Sequence, residues 1–214
     1  MKILVISLAG IGDTLIATPL LHELRLNYPS AQIDALVFWP GSTELLEGNP
    51  FLNRIYQRNL VKDGARGSLK FLRGLRKQRY DLSINTHPQS RIHYRIVARF
   101  INAQERISHE YDNSGRLDRL LVNRTLPQNY TFHSVLNNLR LLTLLGKQTM
   151  MEPHELEVFL TPKDEQFAED FVWRKEIVDR RLVGVHVGSG KTKNLALKRW
   201  PLANFIALVK RLTH

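Results

Sequence analysis

Apolar residues fall in short blocks separated by stretches of helical period. Residues 2–8 are almost unbroken Ile, Leu and Val, the pattern of a strand buried on both faces. Residues 12–27 then place Leu15, Ile16, Leu20 and Leu24 on one helical face. Pro19 lies inside that stretch and predicts a kink or a late helix start. Residues 32–38, 53–57, 81–85 and 105–108 read as further strands, the second of them weak. A short segment at 43–46, a basic amphipathic helix at 68–78 and a helix at 91–101 lie between them. Residues 109–130 are polar and irregular, which predicts a loop over the edge or mouth of the sheet. A helix at 133–145 ends at Gly146 as its C-cap. A strand-like run at 156–160, a helix at 162–177, a buried strand at 182–187 and a helix from Pro201 to 212 complete the pattern.

Strands alternating with helices predict an α/β fold, a Rossmann-like parallel sheet with helices on both faces. The ligand of such a sheet binds at the carboxyl ends of its strands. Three segments lie there: residues 9–13, 85–95 and 188–198.

Composition narrows what those segments do. The chain has 214 residues, enough for a good core, and no cysteine. Disulfide scaffolds, thiolate metal sites and cysteine nucleophiles are thereby excluded, and a reducing compartment fits. Residues 1–9 resemble a short secretory signal. Their single Lys2 and the break at Gly10-Ile11-Gly12-Asp13 fit a first buried strand better. No run reaches the ~18 apolar residues of a membrane span. The balance of 31 Lys and Arg against 20 Asp and Glu gives a net charge of +11. Such a balance suits an anionic partner: nucleic acid, anionic lipid or a phosphorylated substrate. Basic clusters occur at 70–79 and 91–99, without the interleaved aromatics of a single-strand-binding stripe.

In the first segment, glycines after a strand let backbone approach a ligand, and a helix start favours negative charge. It is not a dinucleotide fingerprint, because Asp13-Thr14-Leu15 follows Gly12 without a third glycine. Asp13 is either a first-turn cap or a carboxylate placed to take a proton from a hydroxyl. The second segment offers Asn85, His87, Arg91, His93 and Arg95 to hydroxyls and anions; the competing reading is a polar helix start with Arg91 and Arg95 on its solvated face. His87 and His93 have no metal-ligand spacing. In the third, Gly190-Lys191-Thr192 imitates a phosphate-binding P-loop, but Gly184 precedes it by five intervening residues instead of four. What survives is a glycine-rich loop followed by Lys198 at the next helix start, suited to a diphosphate. His133 reads as a helix cap or a packed residue.

These pieces together resemble glycosyltransferase family 9, the ADP-heptose:lipopolysaccharide heptosyltransferases and their relatives. The resemblance is carried by Gly12-Asp13 with Ala17-Thr18-Pro19-Leu20, by Tyr80-Asp81-Leu82-Ser83-Ile84, and by Phe132-His133-Ser134-Val135 through Leu144-Leu145-Gly146. It is carried further by Val185-His186-Val187-Gly188-Ser189 and Lys198-Arg199-Trp200-Pro201, and it runs over nearly the whole chain.

The resemblance implies the GT-B architecture, with residues 1–175 as an acceptor-side domain and 176–214 as the start of a nucleotide-sugar-binding domain. It implies an inverting, metal-independent transfer of heptose or a related sugar from a nucleotide-sugar, ADP-heptose by resemblance, to a lipopolysaccharide core. Asp13 would be the general base. Gly12, Asn85, His87, Arg91 and His133 would hold the acceptor, and Gly188, Ser189, Gly190, Lys191 and Lys198 the donor. No cofactor, metal or nucleic acid is implied. The partners are a nucleotide-sugar and an anionic lipid-linked oligosaccharide, in a cytoplasmic protein touching the inner membrane face. The family's later Asp-x-Gly-x-x-His block has no counterpart before His214, so the chain is expected to be an inactive fragment. The competing readings are a basic nucleotide- or nucleic-acid-binding module and an NAD-type oxidoreductase.

Overall fold

The structure, a computed structural model, describes residues 1–178, 181–188 and 195–212. It divides into two compact units, Met1–Pro162 and Lys163–His214. The first unit holds six strands: β1 (Lys2–Ser7), β2 (Gln32–Val37), β3 (Arg54–Gln57), β4 (Leu82–Asn85), β5 (Glu105–Glu110) and β6 (Arg124–Pro127). Its helices are α1 (Ile11–Ile16), α2 (Thr18–Asn27), α3 (Pro40–Leu46), α4 (Gly64–Lys77), α5 (Ile92–Ile101), α6 (Arg116–Leu121) and α7 (Ser134–Arg140). The second unit holds α8 (Pro162–Arg174), a 3-10 turn at Leu195–Lys198 and α9 (Leu202–Leu212). The boundary between the units thus falls after the first residue of α8, and the boundary expected from the sequence at 175/176 falls behind that helix.

All strand pairs are parallel, in the order β3-β2-β1-β4-β5-β6. The order turns back between β1 and β4, so a crevice opens there at the carboxyl ends of the strands. β1 and β2 are buried from their second residue onward, as a central strand covered on both faces must be. One face packs Ile3, Val5, Ile33 and Ile84 against Leu20 and Leu24 of α2 and Leu139 of α7. The other packs Leu4, Ile6 and Leu36 against Leu72 and Leu75 of α4 and Val97, Ala98 and Ile101 of α5.

Pro19 acts as expected. The helical stretch breaks at Ala17, and α2 restarts with the proline in its first turn, where no N–H is needed. Gly146 closes the seventh helical segment in the left-handed conformation, φ +66°. The last turn before it, Leu141–Leu145, is 3-10 instead of α.

Three expectations are corrected. Residues 109–130 are not a loop: β5 runs on to Glu110, and α6 and β6 add a helix and an edge strand. Polar composition concealed them because their buried polar side chains find partners elsewhere: His109 with Asn137 O, Tyr111 with His87 and Gln89, Asp118 with Arg95. Residues 156–160 form no strand. They belong to a strap whose backbone donors are taken by side chains of α2: Met150 and Met151 N–H donate to the buried Glu23 carboxylate at 2.8 Å, and Glu157 N–H donates to Thr18 Oγ1 at 3.0 Å. His22 Nδ1 lies 2.8 Å from Glu157 Oε1, its ring stacked on Phe51. Residues 182–187 are neither strand nor buried, with Leu182 and Val183 about three-fifths exposed. An alternating apolar run becomes a strand only when a neighbouring strand takes its N–H and C=O groups. No described strand pairs with this one.

Candidate functional site

The crevice between β1 and β4 has two walls. The first is the turn from β1 into α1. Asp13 occupies the first turn of α1, and its Oδ2 accepts the Gly10 N–H at 2.7 Å. Among the described residues this is the one hydrogen bond of its carboxylate, which is half-buried at the mouth of the crevice. One carboxylate oxygen caps the helix, and no hydrogen bond to the other is found among the described residues. A side chain at position 10 would meet Asp13 Oδ2 at 3.1 Å, so glycine there keeps the carboxylate in place. Gly12 is exposed, with open space where a Cβ would stand. Thr14 anchors the wall from below. Its hydroxyl bonds Ser42 Oγ at 3.1 Å and Gly10 O at 3.2 Å, and Ser7 Oγ lies 3.3 Å away.

The second wall is the turn from β4 into α5, built from buried polar side chains. Gln89 is fully buried and bridges the two strands: its amide nitrogen donates to Ile6 O and Thr86 O, and its oxygen accepts the Leu8 N–H at 3.4 Å. Gln89 N–H in turn donates to Tyr111 Oη at 3.0 Å. His87 N–H donates to Asn138 Oδ1 at 2.7 Å, and its ring Nδ1 lies 3.2 Å from the same Tyr111 hydroxyl. Burial pushes the His87 imidazole below its ordinary pKa, and the negative charge of nearby Asp13 partly opposes this. Tyr94 is held protonated above its ordinary range, chiefly by burial; Arg91 acts against this and Asp13 with it. His93 is lowered by burial and then by Arg91. The mouth thus gathers the Asp13 side chain, an imidazole and a phenol that burial favours in their neutral forms, and the exposed Arg91, which caps α5 in an extended conformation.

Behind this wall the network continues. Arg95, 1% exposed, pairs with Asp118 Oδ1 at 2.8 Å and donates to Ser90 O, His109 O and Ser114 Oγ, each at 3.2 Å. Asp118 Oδ2 also accepts the Gly115 N–H at 2.7 Å. Arg95 is therefore not on a solvated face. Arg91 stands outside the helix, and the true helical phase puts Arg95 with Ala98 and Ile101 on the inner side. His109 is fully buried. Burial first, then the charges of His87, Arg140 and Arg95, lower it to about 4, against a hydrogen bond to Asn137 O at 2.9 Å.

Of the residues expected to hold an acceptor, Gly12, His87 and Arg91 stand with Asp13 around this mouth. Asn85 is buried, its amide on the Tyr94 carbonyl at 3.2 Å. His133 caps α7, its Nδ1 accepting the Val135 N–H at 3.3 Å. Gly188 and Lys198 lie exposed in the second unit, and Ser189, Gly190 and Lys191 fall outside the described residues. Gln89, Tyr94, Tyr111 and Asn138 were not singled out in the sequence. The phase of α5 could have exposed Arg95; nothing local points to Gln89, whose partners lie 81 and 83 positions away.

Known proteins share this fold. A crystal structure of a family 9 glycosyl transferase from Veillonella parvula matches 99% of the chain with TM-score 0.76 at 20% identity, the chain covering 59% of it. E. coli ADP-heptose lipopolysaccharide heptosyltransferase II matches the full chain with TM-score 0.66 at 19% identity, 61% of it covered. The fold is thus α/β of the GT-B type. Lipopolysaccharide heptosyltransferase 3 of E. coli K12 is 29% identical over 171 residues, 77% of this chain and 45% of that protein. A second E. coli heptosyltransferase 3 is 33% identical over 106 residues, 47% of this chain and 30% of that protein. The chain therefore spans less than half the length of these curated relatives. The family model for glycosyltransferase family 9 (heptosyltransferase) matches residues 68–214, which is more than half of the sequence. The chain belongs to glycosyltransferase family 9.

Proposed function

We propose that this chain supplies the acceptor side of an inverting heptosyltransferase acting on a lipopolysaccharide core. The observation that carries the reading is Asp13, a carboxylate at the carboxyl end of β1 beside the switch-point crevice, with one oxygen fixed and the other without a hydrogen bond among the described residues. A general base must reach the hydroxyl proton it removes, and here the position is held by backbone, not by a mobile side chain. Asp13 takes the acceptor's hydroxyl proton as that oxygen forms the new bond to the anomeric carbon. The bond from that carbon to the donor's diphosphate breaks on the opposite face, inverting the centre. Neutral His87 and Tyr94 orient acceptor hydroxyls, and Arg91 pairs with an acidic group of the acceptor.

The donor is a nucleoside-diphosphate sugar, ADP-heptose by analogy with the E. coli ADP-heptose lipopolysaccharide heptosyltransferase II that shares this fold. Gly188, Ser189, Gly190 and Lys191 would lie along its diphosphate. Lys198 would offset the charge that develops on the leaving group. The residues at 1–175 and 176–214 would divide acceptor and donor binding, and the lipid-borne acceptor would bring a cytoplasmic protein to a membrane surface.

The test is heptose transfer from ADP-heptose to a heptose-deficient core, using the 214-residue chain and the chain continued by the donor-side remainder of a family 9 enzyme. Transfer is expected only in the continued form and falls by about a hundredfold or more in Asp13→Asn. Full activity of the Asp13→Asn protein would overturn the base assignment. Thermal stabilisation of the continued form by NAD instead of ADP would overturn the donor class.

A further inference from the structure

Two imidazoles and a phenol meet beneath the crevice mouth: His87 just after β4, His109 near the end of β5, and Tyr111 just beyond it. Their ring centroids lie 5.7 to 6.0 Å apart, and all three residues are buried. In such a setting every N–H and O–H must find an acceptor or cost stability, so the heavy-atom partners decide where the protons sit. His109 Nε2 lies 2.9 Å from Asn137 O, a carbonyl that can only accept. Nε2 of His109 therefore carries the proton, and its bare Nδ1 has no hydrogen-bond partner among the described residues.

The same reasoning settles His87. Tyr111 Oη accepts the Gln89 N–H at 3.0 Å, which leaves its own proton to be placed. Among the described residues the acceptor within reach is His87 Nδ1, 3.2 Å away. An Nδ1–H on His87 would aim two donors at one phenolic oxygen and leave the phenol's proton unpaired in the interior, the costlier arrangement. His87 Nδ1 is therefore bare, and the proton of the neutral ring sits on Nε2. Burial disfavours a second proton on that ring, and the charge of Asp13 reaches it from the mouth. Nε2 has no hydrogen-bond partner among the described residues, and His87 keeps 8% exposure. The backbone holds the turn as well, with His87 N–H on Asn138 Oδ1.

We propose that Tyr111 is a positioning residue: it fixes His87 in the Nε2–H tautomer, so that His87 meets an acceptor oxygen as a hydrogen-bond donor and cannot serve as the base. A ring with its proton on Nε2 has no lone pair there to receive a hydroxyl proton. The two titratable side chains thus have separate tasks, Asp13 to take a proton and His87 to give a hydrogen bond. The tautomer stands on the geometry alone; the role toward an acceptor rests on the function proposed above.

The first test reads the tautomer. Proton–nitrogen correlation spectra of the 214-residue chain, carrying nitrogen-labelled histidine, separate Nε2–H from Nδ1–H rings at mildly alkaline pH. The signal lost in His87→Gln assigns His87. A single Nε2–H tautomer is expected. Tyr111→Phe should turn it into a mixture, whereas His109→Gln, which alters the neighbouring ring and spares the phenol, should leave it single. The second test is kinetic, in the chain continued by a donor-side remainder. His87→Leu should raise KM for the acceptor about tenfold with little change in kcat, the loss of one hydrogen bond. His87→Gln sets an amide N–H near the place of Nε2–H and should recover most of that loss. Tyr111→Phe should raise the acceptor KM about threefold, the inverse of the competent tautomer's remaining share, and leave the donor KM alone. An Nδ1–H tautomer in the unmutated chain would overturn the proposal, and that result needs no variant to fold. An unchanged single tautomer in folded Tyr111→Phe would overturn the positioning role. A fall in kcat for His87→Gln as deep as for Asp13→Asn would make His87 a base and overturn the donor role. The spectra are read on the chain alone, so the tautomer and the transferase reading fail separately.

Discussion

The two walls of the crevice are made differently. The β1–α1 wall is short-range: Gly10, Asp13 and Thr14 bond one another within a single helical turn, with Ser7 and Ser42 beneath. The β4–α5 wall is long-range, and Gln89, Tyr111, Asn138, Arg95, His109 and Asp118 reach it from five separate segments. The first wall can hold its carboxylate in almost any setting that lets α1 form. The second exists only once the whole unit has folded, and it places several polar groups where each must be paired or cost stability. Under the function proposed above, the first construction would hold the base rigidly and the second would accept a large polar substrate.

The sharpest way to break the second wall is Asp118→Ala, which strands the Arg95 charge in the interior. A loss of about 3–5 kcal/mol is expected in urea unfolding. The paired change Arg95→Met with Asp118→Leu should recover most of it. If the double variant is as unstable as the single one, the cost lies in packing and not in the unpaired charge.

Acid should also find this wall. His109 has a folded pKa near 4, below the ordinary value of 6.5. Below pH 6.5 the unfolded chain binds a proton that the folded chain refuses. Stability from this group is therefore fully present above pH 6.5 and is lost as pH falls to about 4. The loss is on the order of 3 kcal/mol. Melting curves of His109→Gln should show a flatter slope across that window. An unchanged slope would move the acid sensitivity to another group.

Gln89→Met removes the bridge between the walls and leaves Thr86 O and Leu8 N–H short of a partner, while Ile6 O keeps the Thr86 N–H. A cost of about 1–3 kcal/mol is expected. Thr14→Val, on the first wall, loses hydroxyl contacts only and should cost about 1 kcal/mol. If Thr14→Val proves costlier than Gln89→Met, the contrast between a local and a long-range wall is wrong.

The two walls also differ in how far they can be read from the sequence. Gly12-Asp13 after a buried apolar strand is a local signal, and it pointed to the position that the structure puts at the crevice mouth. In the second wall, His87 and Arg91 were visible as chemistry-bearing types in a turn. Arg95 reads either as a group offered to anions or as part of a solvated face, and its partner Asp118 lies in a segment that reads as loop. That segment, 109–130, looked unstructured because His109, Tyr111 and Asp118 are polar, and polarity was taken as exposure. Residues 182–187 failed in the opposite direction, their apolar alternation suggesting burial that no described partner provides.

The sequence by itself determined the parallel α/β plan, the break at Pro19, the cap at Gly146 and the place of Asp13. Each follows from local rules: hydrophobic period, fixed proline φ, glycine at positive φ, and the geometry of a helix's first turn. Only the tertiary structure decided that Arg95, His109 and Gln89 are interior, that β6 forms an edge strand of the sheet, and that residues 150–157 are strapped to α2 by Glu23 and Thr18. Those outcomes turn on pairing between groups up to 128 and 139 positions apart, and no period along the chain encodes which polar residue will find its partner there.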